Sequence, residues 1–513
     1  MVADTSTVDA PGAGGAAGGA GAAGAAAGAY QSREDVRAAA EKMHAYFDSG
    51  ATLPLEQRRQ ALVSLRAYLK ANEDRLLDCL HADLGKSPFE GYATELGMVY
   101  DEIKACLKGM PEWASPRPVP TPLVHFRSSS KVYASPYGVV LVLSPWNYPV
   151  YLTLAPLVDA VAAGNCVALK PSRTSKATSA FLQKMVGELF SPQFICAFGA
   201  PGTPDGPDGS SALRGPGALG APGEINDWLL EQRWDQIFFT GNPKVGRTVM
   251  QAAARHLTPV TLELGGKNPC IVDASANIRR AAQRIAWGKG LNTGQTCVAP
   301  DYLLVHTGVA DDLVAGLDAC FHTYYGPDIL ASAEWPRMVN RQHFDRVLGL
   351  INNCGPAARL AFGGRSDAAT LKIEPACLVG VSLDDPVMNE EVFGPVLPVM
   401  TFETLDEAFA IVRHFEKPLA AYVFAEDKAV QKRVIAELPF GGATINDVVI
   451  HLANSHMGFG GVGNSGIGAY HGKAGFDTFT HYKSTLSKGT WLELPIRVPP
   501  FKNKLRLLRL LLR

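Results

Sequence analysis

The chain has 513 residues, 47% of them hydrophobic and 19% charged, with a formal net charge of −1. That length and apolar content suit two or more buried cores, and the charge balance gives no field for steering nucleic acid or an acidic partner. Nine cysteines, odd in number and widely spaced, do not look like a disulfide framework, and without C-x-x-C or H-E-x-x-H no metal site is expected.

Residues 1–33 are expected to be a disordered Ala/Gly-rich tail, since 11–29 contain only Pro, Gly and Ala. Asp4 and Asp9 come first and Arg33 is the first basic residue, which is not the charge order of a secretory signal. A cytoplasmic protein is therefore expected, and no apolar stretch reaches the roughly 18 residues that cross a bilayer. Helical periodicity fills 34–85, and the Pro-rich run 111–122 marks a boundary. From "YGVVLVLSP" onward, strand-like runs such as "GNCVALKP" and "WDQIFFTG" alternate with Ala-rich helical stretches. This alternation predicts βαβ units and a parallel sheet. Residues 201–223 carry twelve Gly or Pro among twenty-three and read as a solvent-exposed loop insertion. A second α/β segment spans 266–474 and ends in the glycine-dense "FGGVGNSGIGAYHG". His451, His456, His471 and His481 fit no zinc spacing and read as packing or surface histidines.

Four stretches could carry chemistry: "SPWNYP" (144–149), "FFTGNPKVG" (238–246), "LELGGKNP" (262–269) and "GQTC" (294–297). Each has an ordinary explanation. Asn147 could cap a helix before Pro149, Glu263 could end a strand, and Gly241 to Gly246 is a weak phosphate signal by itself. Together they supply a thiol nucleophile, an oxyanion donor and a base, beside a turn where a helix N-terminus could meet a pyrophosphate. That set describes oxidation of an aldehyde through a thioester.

These stretches resemble the aldehyde dehydrogenase superfamily, and in detail its class 3 branch, which includes the fatty aldehyde dehydrogenases. Further markers are "ANEDRLLDCLHADLGKSPFE" (71–90), "HLTPVTLELGGKNPC" (256–270), "GQTCVAPDYLL" (294–304), "EEVFGPVLPV" (390–399) and "FGGVGNSGIGAYHGK" (459–473). The resemblance implies Cys297 as nucleophile, Glu263 as base for thioester hydrolysis, and Asn147 as oxyanion donor together with the Cys297 N–H. It implies a cofactor, NAD or NADP, with its pyrophosphate over Gly241, Asn242, Pro243, Lys244, Val245 and Gly246. Trp146 and Lys170 would lie along the nucleotide, Glu391 would hold the nicotinamide ribose and Phe393 would pack near the nicotinamide. Tyr148 would line the substrate tunnel.

The implied fold is α/β in three parts. A Rossmann-like NAD(P)-binding domain takes 38–114 and 139–265, and a catalytic α/β domain takes 266–474. A small β bridging element, 115–138 with 475–490, joins two subunits in a homodimer. One departure bears on chemistry: where the family commonly has a glutamate after "LKPS", this chain has Arg173, which could pair with the 2′-phosphate of NADP or simply face solvent. Gly458 replaces a family proline near the expected tunnel.

The leading expectation is NAD(P)⁺-dependent oxidation of medium- to long-chain or aromatic aldehydes. A coenzyme A-acylating enzyme is the alternative, against which Glu263 argues, and a non-enzymatic binding protein on the same scaffold is third. In 501–513, "FKNKLRLLRLLLR", a helix would align Lys502, Arg506, Arg509 and Arg513 on one stripe flanked by leucines. That tail could dock on protein, or lie on a membrane surface without spanning it.

Overall fold

A computed structural model of the chain describes residues 32–199, 225–491, 496 and 498–511. The expected tail up to residue 31 and the insertion 201–223 lie outside the described residues.

The first helix, Arg33–Asp48, begins where the tail was expected to end. Ser32 Oγ accepts from Asp35 N at 3.1 Å, and the Asp35 carboxylate accepts from Ser32 N at 3.0 Å, a reciprocal cap that fixes the start. The helical region expected over 34–85 is three helices, Arg33–Asp48, Leu55–Ala71 and Glu73–Leu84. Gly50, with φ of 76°, and Pro54 interrupt the first pair, and Gly85, with φ of 72°, ends the third.

Six strands form one sheet in the order Gly466–Ile467, Val260–Leu264, Gln236–Gly241, Val139–Leu143, Cys166–Lys170 and Ile195–Ala197. All pairs are parallel except the first, where Gly466 lies antiparallel opposite Glu263. Val139–Leu143 and Cys166–Lys170 are buried at every residue, as strands covered on both faces must be. The wholly buried helix Tyr151–Ala163 joins them.

A seven-stranded sheet follows, in the order Arg359–Gly363, Ala376–Val379, Val396–Phe402, Tyr302–His306, Pro269–Val272, Ala420–Phe424 and Gly442–Ile445. Only its edge strand Arg359–Gly363 is antiparallel. In a third, antiparallel sheet, Ser128–Pro136 pairs with Thr480–Lys488 along its whole length and with Arg117–Val119 on the other side. The two segments with strand character flanking the main body thus meet each other.

The C-terminal helix covers Leu505–Leu511 only. Asn503 has φ of 67°, which stops the helix from extending back to Lys502. The expected four-residue basic stripe is therefore not formed among the described residues: Arg506 and Arg509 are helical, and Arg513 lies outside them.

Candidate active site

From Val139–Leu143 the chain proceeds to one side of the six-stranded sheet, then returns to Gln236–Gly241 and proceeds to the other. Such a reversal leaves a crevice outside the carboxyl ends of the two strands, where open α/β sheets take ligands. A cavity of about 460 Å³ opens there. Its wall includes Trp146, Asn147 and Lys170, the turn residues Gly241, Asn242, Pro243 and Val245, and Glu263, Cys297, Glu391 and Phe393. Four residues expected at the site are not in that wall. Lys244 is exposed on the helix, and Gly246 packs against Leu264, whose side chain would lie 2.8 Å from an added Cβ. Arg173 follows the wall residue Ser172. Tyr148 is turned inward, its hydroxyl 2.6 Å from Thr296 Oγ1 and its ring 3.8 Å from the Lys86 ammonium.

The helix Pro243–Ala254 starts at the cavity. Asn242 caps it by accepting from Val245 N at 2.9 Å, and Pro243 occupies its first turn. The positive end of the helix dipole there suits an anion. Asn147 caps no helix; its side chain donates to Gln295 O at 3.1 Å instead.

Cys297 follows a turn with three consecutive left-handed residues: Asn292 at φ 48°, Thr293 at 55° and Gly294 at 71°. Each non-glycine residue in that conformation costs roughly 1–2 kcal/mol. At Gly294 an added Cβ would sit 2.3 Å from Gly394 O, so glycine is required there. The cost is met by bonds within the turn, such as Gln295 N to Asn292 O at 3.0 Å, and by bonds from distant elements. Asn292 Nδ2 donates to Asn147 O at 2.8 Å, and Gln295 Nε2 donates to Asn292 O and Arg337 O, both at 3.0 Å. Val339 N donates to Gln295 Oε1 at 3.0 Å. Past the thiol, Asn268 Nδ2 donates to Cys297 O at 2.7 Å and Ala299 O at 3.1 Å, and the Tyr422 hydroxyl donates to Val298 O. Sequence reasoning passed over Asn268 and Gln295, although both lie inside the quoted stretches.

Burial dominates the electrostatics. It pushes the Cys297 thiol up, aided by the Glu391 and Glu263 carboxylates and opposed by the Cys297 and Val298 N–H groups. Burial alone pushes Glu263 well above the carboxylate range, and neither of its oxygens has a hydrogen-bond partner. Glu391 is raised to about 8, chiefly by burial and next by Asp301. Gly265 admits Glu391 closely: a Cβ there would stand 2.0 Å from its Oε2. Trp146 lies between Phe393, at 5.6 Å between ring centroids, and His343, at 5.0 Å. His343 and Arg346 line the cavity without any signal in the sequence reading. Burial lowers His343 to about 4, and Arg346 holds the 390–392 segment through Glu390 Oε1 at 2.9 Å and Val392 O at 2.6 Å.

His471 is a buried packing histidine, with Nε2 2.8 Å from the Tyr151 hydroxyl and Nδ1 3.4 Å from Glu102 Oε2. Among the described residues Glu102, Cys106 and Asp159 cluster closely enough for a metal. Cys106 Sγ is bonded to Asp159 Oδ1 at 3.4 Å and Glu102 Oε1 to Gly472 N at 2.6 Å, while Asp159 Oδ2 has no partner.

Fold and crevice together are those of an open α/β protein with a ligand site at its topological switch point. The profile of the aldehyde dehydrogenase family matches residues 23–485. The chain is 42% identical over 465 residues to a 4,4'-diaponeurosporen-aldehyde dehydrogenase of Staphylococcus aureus, covering 91% of this chain and 96% of that protein. It is 39% identical over 474 residues to a dimeric NADP-preferring aldehyde dehydrogenase of Canis lupus familiaris, covering 92% of this chain and 99% of that one. A solved substrate-bound state of Staphylococcus aureus AldH superposes with a TM-score of 0.86 at 40% identity, covering 93% of this chain and 99% of that chain. The chain belongs to the aldehyde dehydrogenase family, and it is an NAD(P)-dependent oxidoreductase acting on aldehydes.

Proposed function

We propose that the protein oxidises medium- to long-chain or aromatic aldehydes to carboxylic acids through a thioester on Cys297. One observation carries this reading: Cys297, Asn147, Glu263 and the turn from Gly241 to Val245 share the wall of one cavity. The cavity fits the cofactor, because the unpartnered Glu391 Oε1 and Thr240 Oγ1 and the capped helix start supply polar groups there. Lys170, Trp146 and the 241–246 turn would hold the nucleotide, with Glu391 and Phe393 toward the nicotinamide end. Bound NAD(P)⁺ supplies the hydride acceptor.

The Cys297 thiolate adds to the aldehyde carbon, and the oxygen takes the electron pair. Asn147 and the Cys297 N–H hold that oxyanion. The carbonyl re-forms as hydride leaves, which yields the thioester. Glu263 then takes a proton from water, the hydroxide adds to the thioester, and the thiolate departs from the acid product. The two unpartnered Glu263 oxygens favour hydrolysis over transfer to coenzyme A. NAD(P)H formation from an aldehyde panel without coenzyme A tests the reading. Cys297→Ser should lose at least about a thousandfold in rate, because a neutral hydroxyl is a far weaker nucleophile. Strict dependence on coenzyme A, or full activity in Cys297→Ser, would overturn it.

In this reading 38–114 with 139–265 forms the NAD(P)-binding domain and 266–474 the catalytic domain. The antiparallel element of 115–138 and 475–490 bridges a homodimer, which the dimeric canine relative supports. No described helix is long and apolar enough to cross a membrane. Exposed Leu505, Leu507 and Leu510 beside Arg506 and Arg509 support peripheral contact with an anionic membrane surface. Loss of co-sedimentation with anionic vesicles after truncation at Pro500 is the expected result.

A further inference from the structure

The left-handed turn before Cys297 is gripped by a carboxylate that the proposed reaction does not use. Glu90 lies in the short helix Pro88–Gly91, and its Oε1 accepts the Asn292 N–H at 2.6 Å. Asn292 opens the strained turn and also donates from its side chain to the main-chain carbonyl of Asn147. Lys86, on the same short segment as Glu90, donates to that Asn147 carbonyl at 3.0 Å while paired with Glu95 at 2.6 Å. One stretch of chain therefore holds Asn147 with a cation and Asn292 with an anion.

We propose that Glu90 is a positioning residue for Cys297: its carboxylate locks the Asn292 N–H, and thereby the turn that sets the thiol and the Asn147 carboxamide in one cavity. The inference rests on the reading of Cys297 as the nucleophile. A charged acceptor makes the shorter and stronger hydrogen bond, and here that bond opposes the tendency of two non-glycine residues to leave the left-handed region. Lys86, Glu95 and Glu334 face Glu90 with charge, and the phenols of Tyr148 and Tyr325 are its other titratable neighbours. Burial raises Glu90 to about 7, with Lys86 opposing, so the grip is present above that pH and weakens as pH falls through it.

The test uses the full-length enzyme and the variant Glu90→Gln, which keeps the shape and removes the charge. Two quantities are read across neutral pH: the rate of Cys297 alkylation by iodoacetamide, located by peptide mass mapping, and kcat with the KM for NAD(P)⁺. Alkylation rate and kcat should fall about tenfold above neutral pH, with KM for the cofactor unchanged. The wild-type inflection near pH 7 should vanish in the variant. Adding Thr293→Gly, which removes left-handed strain at a side chain whose hydroxyl has no partner, should recover part of the alkylation rate. An unchanged Glu90→Gln profile overturns the proposal and leaves the nucleophile reading standing, as does a loss that Thr293→Gly does not relieve. Alkylation at Cys297 that spares dehydrogenase activity overturns both.

Discussion

Two turns face each other across the cavity, and they are built in opposite ways. The turn from Gly241 into helix Pro243–Ala254 closes on itself: Asn242 caps Val245 N, and Gly246 N returns to Asn242 O at 3.0 Å. The turn into Cys297 has local bonds, from Gln295 N and Nε2 to Asn292 O and from Asn292 Nδ2 to Gln295 O, but it also leans on the rest of the chain. Glu90, Asn147, Asn268, Arg337, Val339 and Tyr422 hold it from elsewhere in the chain. A self-closing turn tolerates change in its surroundings, whereas an externally braced turn transmits every change to the thiol.

Replacing the proposed base should have the largest effect in this comparison. In Glu263→Gln, turnover should fall by about a hundred- to ten-thousandfold, while one equivalent of NAD(P)H per site still forms in a burst. Rapid-mixing absorbance at the reduced nicotinamide band reads both. Because burial raises both Cys297 and Glu263, their basic forms gain population as pH rises, so wild-type kcat/KM should climb on the alkaline side. Next comes the external brace. Asn268→Ala frees the Cys297 carbonyl and should cost about a hundredfold in kcat, since small misplacements of reacting groups have that scale. On the cofactor side, Arg173→Glu should move the NADP-to-NAD ratio of kcat/KM toward NAD by roughly ten- to a hundredfold, the value of one charge-assisted phosphate contact. An unmoved ratio removes Arg173 from cofactor choice. The smallest change is expected for Asn242→Ala, which loses a cap worth about 1 kcal/mol and should raise the cofactor KM a few-fold at constant kcat. A kcat loss there as large as in Asn268→Ala would end the distinction between the two turns.

The same contrast explains what could be read from the residues. The turn after Gly241 was legible as a strand, turn and helix because strand, glycine, cap and proline are neighbours in sequence, although its phosphate signal was weak by itself. The αβ alternation and the two strands of the small antiparallel sheet were legible for the same reason, as periodicity is local. "GQTC" marked the thiol, but its braces at Glu90, Arg337 and Tyr422 depend on tertiary contacts that no window of sequence contains. His343 and Arg346 were invisible on the same ground, since only the packing of helix Arg341–Asn352 brings them to the cavity. The bond from the Tyr148 hydroxyl to Thr296, next to the thiol, spans 148 positions and was likewise beyond any window of sequence. The basic stripe of the tail failed on a single residue, Asn503, whose backbone cannot continue a helix toward Lys502.

The antiparallel pairing of Gly466 with Glu263 has a consequence for how the protein is made. The strand Val260–Leu264 is translated long before its outer neighbour Gly466–Ile467 leaves the ribosome. At roughly 5–20 residues per second, that edge stays open on the order of 10–40 s. An unpaired strand edge is a template for other chains, so a nascent or prematurely terminated polypeptide is exposed to aggregation during this interval. The proposed base thus receives its final backbone partner only after residues 264 to 465 have been made, and a fragment ending before Gly466 cannot close the sheet that carries it.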